Sequence, residues 1–148
     1  MEKNSMFTIN DEAMDRLAQI SDNLNKSTTE MNEKLSSVEE LLVKNQIGVS
    51  VWTDSYFTVN TNGRHSSYKI GFCRIKDTWR IVCQRFDDKE GHLFGKLIPL
   101  MFAQRIVRME AISLINELIQ KLTEKAESFL NDVEEKKTTL TNMGTSLN

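Results

Sequence analysis

The chain has 148 residues, 39% hydrophobic and 27% charged, with a formal net charge of −2. That size and balance describe one ordinary soluble domain and exclude a strongly basic, nucleic-acid-like chain. The longest apolar run falls well short of the ~20 residues that a bilayer-spanning helix needs, so no membrane role is expected. Cys73 and Cys83 are too few for a disulfide scaffold. The N-terminus has no apolar h-region of a signal peptide. A reducing cytoplasm is therefore the expected compartment, and the Asn, Ser, Thr and Lys content fits an AT-rich bacterial or phage genome.

The charge is segregated. Residues 1–46 carry 5 Lys/Arg against 9 Asp/Glu, residues 47–110 carry 10 against 6, and residues 111–148 carry 4 against 6. Six of the seven arginines lie in the middle block. The pattern is a basic head on acidic helical legs.

Asn10 reads as a helix N-cap, with Asp11 and Glu12 in the first turn, where the helix dipole favours carboxylates. Ile9 and Met14 have hydrophobic-staple spacing. With Met14 at an a position, the a and d residues are Met14, Leu17, Ser21, Leu24, Thr28, Met31, Leu35, Val38 and Leu42. This heptad pattern predicts a helix over 9–47, roughly 50 Å long, with Gly48 as its stop.

Residues 48–97 change character: five of the six glycines lie there. Alternation over Gly48–Asn60 predicts a half-buried strand bent near Asp54-Ser55. Asn60-Thr61-Asn62-Gly63 is turn chemistry. Tyr68–Ile75 and Trp79–Phe86 predict two more strands joined by a tight hairpin at Lys76-Asp77-Thr78. Asp87–Lys96 reads as a polar loop. Pro99 suits the first turn of a last helix over 98–144, with a and d residues Ile112, Ile115, Ile119, Leu122, Ala126, Phe129, Val133, Lys136, Leu140, Met143 and Leu147.

The expected fold class is α+β: two long antiparallel coiled-coil helices flanking a small three-stranded antiparallel β-meander, in a single domain over 1–148. One sheet face should lie on the helices, the other being open or covered by a partner. The C-terminal stripe outreaches the first helix, leaving Leu140, Met143 and Leu147 exposed in a monomer. Exposed apolar stripes mark association sites, and two hairpins could close a four-helix bundle with legs antiparallel and heads apart. The seam residues expected to matter are Leu17, Leu24, Leu35, Ile119, Leu122, Phe129, Leu140 and Met143.

No nucleophile elbow, Walker loop, dinucleotide fingerprint or zincin motif is present, so no enzyme, cofactor or catalytic residue is expected. His65 and His92 fall in predicted loops. Together with Cys73 and Cys83 they form a permitted zinc set by type, but gaps of eight to ten residues are unlike the close pairs of zinc sites. Thus no metal site is expected.

The arginine head is the best candidate surface for an anion or a partner. Arg74, Arg80 and Arg85 lie on the hairpin strands near Trp52 and Trp79, a combination that suits charge plus base stacking. The competing reading has the aromatics as core and the arginines as charges guarding sheet edges. Arg105 and Arg108 fall on the seam of the last helix. They call either for internal ion pairs, with Glu39, Glu40 or Asp54, or for an anion gripped by the guanidinium fork. The function expected from all this is a non-enzymatic interaction, scaffold or regulatory protein. It would form a homodimer through its helices and present the basic sheet to a protein partner. The alternative is a sensor or sequestering inhibitor that binds a nucleotide or single-stranded nucleic acid.

Overall fold

The computed structural model describes residues 8–147. The chain divides into two compact units between Val38 and Glu39, inside the first helix. That helix, α1, spans Asp11–Lys44. Its start is capped as the sequence predicts: the Asn10 Oδ1 accepts from the Ala13 N–H at 3.0 Å, and the Asn10 carbonyl accepts from Met14 at 2.9 Å. Thr28, a polar residue at a core position, donates to the Leu24 carbonyl at 2.7 Å and so needs no partner outside its own helix. Leu35 is the buried residue of α1. At the exit Gly48 has φ +78°, and its N–H donates to the Gln46 side chain at 2.7 Å.

The second unit is built on an antiparallel sheet of β1 (Val51–Trp52), β2 (Phe57–Thr61), β3 (Arg64–Ile75), β4 (Thr78–Asp87) and β5 (His92–Pro99). The order is β1-β3-β4-β5, with β2 also pairing β3. The predicted first strand is thus split at its Asp54-Ser55 bend into two short strands on the same neighbour. Two hairpins close on two-residue turns. Asn62 and Gly63 both have positive φ, as a type I′ turn requires. Lys76 (φ 48°) and Asp77 (φ 69°) do the same without a glycine, and the Asp77 carboxylate holds the Arg74 guanidinium across that turn at 2.7 Å.

The three-strand meander is corrected at its end. The expected polar loop over Asp87–Lys96 is a turn followed by β5. The Asp87 carboxylate accepts from Lys89 at 3.0 Å and Glu90 at 3.1 Å, and Gly91 completes the turn at φ +74°. The strand is hard to read because its alternation is interrupted. Cys83 opposes Ile98, yet Arg85, two residues on, opposes Phe94, so β5 carries an irregularity around Gly95 at φ +77°. Pro99 ends β5 instead of starting a helix. An edge strand tolerates its missing N–H.

The expected helix over 98–144 is also corrected. A 3₁₀ turn at Leu100–Phe102 precedes α2 (Arg105–Ala111). A second turn at Ile112–Leu114 then leads into α3 (Ile115–Leu147).

Cross-strand register places Val51, Phe57, Val59, Ile70, Phe72, Ile81 and Cys83 on one face, all buried. α2 lies against β2, whose buried residues are all on this face, and α3 packs against β1 and β3. Buried Leu100, Val107, Ala111, Leu114, Ile115 and Leu118 complete the core. Among the described residues no helix is long and apolar enough to cross a membrane.

Candidate interaction surfaces

The outer face of the sheet is closed largely by its own residues. The Trp52 ring lies over Gly71, so close that a Cβ there would meet the ring at 2.6 Å and the Val51 carbonyl at 2.8 Å. Phe86 is flanked by Tyr56, centroids 5.1 Å apart, and by the Lys69 ammonium at 4.3 Å. Arg80 lies 4.8 Å from the Phe102 ring, which is itself 72% exposed. Each cation spends its charge on a neighbouring aromatic face.

The predicted arginine site does not converge. Arg74 is exposed and paired with Asp77. Arg85 lies toward the other end of β4, 5.3 Å from the Phe94 ring and 3.3 Å from the Ser66 hydroxyl. Trp52 and Trp79 sit on opposite faces, Trp79 stacking on Phe72 with centroids 5.5 Å apart. Arg105 is exposed on α2. Arg108 donates through NH1 to the Ala103 carbonyl, while its Nε is buried with no hydrogen-bond partner. Neither takes the ion pairs weighed from the sequence. Glu39 instead accepts the Ile81 N–H at 2.8 Å, in a stretch of β4 that β5 reaches only at Val82. Asp54 pairs with Lys121.

That last pair belongs to a clamp that sequence reading missed. Glu117 of α3 accepts the backbone N–H groups of Asp54 at 2.5 Å and Ser55 at 3.2 Å, which fixes the bend between β1 and β2. Burial pushes the Glu117 carboxyl up, but the hydrogen bonds from Ser55 and Asp54 outweigh it and hold the group below its ordinary value. The hydrogen bond and charge of Lys121 likewise hold Asp54 low. The available signal was Glu117 and Lys121 one helical turn apart, away from the heptad seam.

His65 and His92 lie on β3 and β5, not in loops. Cys73 and Cys83 are free and buried, on opposite faces of the sheet by register. Burial pushes the Cys83 thiol up to about 11. Among the described residues no cluster of three or more His, Cys, Asp or Glu could hold a metal ion.

The helix seams are a different kind of surface. At the root of α3, Ile119, Leu122 and Ala126 line a shallow groove with Leu42 and Ile47. Farther along, the stripe is uncovered. Phe129 is 43% exposed, Leu140 67% and Met143 56%. Phe129, Val133, Lys136 and Leu140 line an apolar groove along α3, edged by Asp132 and Lys137. On α1, Leu17 and Leu24 are exposed at 58% and 45%. The side chain of Leu147, the last seam position, lies outside the described residues. Comparison with protein-family models, with curated proteins and with solved structures gives no match.

Proposed function

We propose that this chain is a non-enzymatic interaction protein that self-associates through its heptad faces and presents the basic sheet head to a protein partner. The observation that carries the reading is the uncovered stripe on α3: Phe129, Val133, Leu140 and Met143 recur at seam spacing and all are exposed in one chain. Large apolar side chains at that spacing are stabilised by a second helix. The head is firmly built and solvent-facing, with exposed Phe102 beside Arg80 and exposed Tyr56 against Phe86, which also meets Lys69, a mixture typical of protein-binding surfaces. Two unpaired thiols fit a reducing compartment, so the reading places the protein in the cytoplasm. A nucleotide or nucleic-acid ligand is less well supported, because the guanidiniums are dispersed and most are engaged by neighbours.

Thermal unfolding followed by circular dichroism tests the reading. A self-associating fold melts at a temperature that rises with protein concentration, because association stabilises by mass action. A melting temperature independent of concentration over the micromolar range would remove the self-association.

A further inference from the structure

Lys136 occupies a d position in the middle of the apolar groove on α3, between Val133 and Leu140. Among the described residues its side chain has no ion pair or hydrogen bond, whereas the adjacent Lys137 pairs with Glu134 at 3.5 Å. A charge at a seam position needs a counter-charge once the seam is covered, and α3 carries only one acidic group beside the groove, Asp132.

We propose that the groove is covered by α3 of a second copy running antiparallel, with the two-fold axis between Glu134 and Glu135. The proposal rests on the self-association argued above and adds which helix pairs, in which direction and in which register. In an antiparallel pair, a residues face d residues. This centre sets Phe129 against the partner's Leu140, Ala126 against the partner's Met143 and Val133 against the partner's Lys136. Each Lys136 then lies level with the partner's Asp132, on the side of the seam where g positions meet, giving two symmetric ion pairs. Leu130, a flanking position 59% exposed, receives the aliphatic stem of the partner's Lys137.

The alternatives are worse by charge. A parallel pair stacks Lys136 on its own copy in a core layer. Shifting the antiparallel register by one heptad toward the N-terminus opposes the two Asp132 residues, and shifting it the other way opposes the two Lys137 residues. The chosen register also covers nearly all of residues 127–145, the stretch of α3 in which every residue is exposed.

Cysteine cross-linking of the full chain tests this. Phe129→Cys combined with Leu140→Cys should give a reducible disulfide dimer under mild oxidation. Phe129→Cys alone should not, because its own copy would be ~16 Å away along the pair. The native thiols are buried and present in both variants. Separately, Asp132→Lys should weaken dimerisation by about tenfold, and adding Lys136→Asp should restore it. Both substitutions are on exposed positions, and unchanged helicity confirms the fold. Efficient cross-linking of Phe129→Cys alone would establish a parallel pair and overturn the proposal. A wild-type dimer that neither cysteine variant traps would overturn it too, by assigning the contact to another face such as α1. A wild-type chain that stays monomeric would overturn the self-association itself.

Discussion

The sheet core and the outer half of α3 use the same residue types to opposite ends. Ile70, Phe72, Val82 and Cys83 are 0% exposed, whereas Phe129, Val133 and Leu140 stand 43% to 67% exposed. The sheet core buries its apolar side chains within one chain, and the outer part of α3 does not. The difference teaches that burial here has two scales: folding closes the sheet core, and the proposed association would close the outer part of α3.

Matching truncations sharpen the contrast most. Phe72→Ala should cost about 3–5 kcal/mol in urea unfolding, as emptied aromatic core sites do. Phe129→Ala at high dilution should cost no more than about 0.5 kcal/mol, as exposed sites do. Equal costs would break the comparison. Gly71→Ala should follow with a loss of about 1–3 kcal/mol, because a Cβ would meet both the Trp52 ring and the Val51 carbonyl below 3 Å.

The Glu117 clamp predicts a smaller effect with a definite sign. Its folded-state carboxyl lies below the ordinary value, so its contribution is present at neutral pH and is lost as pH falls through the acid range where the folded group protonates. Glu117→Gln should cost about 1 kcal/mol at neutral pH and flatten the acid limb of the stability curve. An unchanged limb would show that the bend does not depend on this carboxylate. Smallest in energy is thiol protection. With Cys83 buried and raised to about 11, the native protein should resist iodoacetamide at neutral pH at this position and react in denaturant. Rapid native labelling would show that the core opens readily.

Much of this molecule is legible in its sequence where local chemistry repeats. The α1 cap at Asn10, the Asn62-Gly63 turn, the bend at Asp54-Ser55 and the central hairpin all follow from short patterns. β5 is hidden because the irregularity at Gly95 breaks its alternation. Pro99 suits a helix start as well as it suits a strand end, and only the sheet edge decides. The arginine cluster is close in sequence but dispersed in space, since alternate residues of a strand face opposite ways. The Glu117 clamp joins positions more than sixty residues apart; the Glu117–Lys121 spacing marks a polar pair on one helix face but does not name the distant bend that it holds.

The most direct test of the central claim is the mass of the full chain in solution, by sedimentation equilibrium at micromolar concentration, beside Leu140→Glu. The account predicts twice the chain mass for the wild type and a folded monomer for the variant, since position 140 is 67% exposed in a single chain and a carboxylate there harms only the covered seam, where it would face the partner's Phe129. A wild-type chain sedimenting as a monomer, or a variant that dimerises equally well, would contradict it.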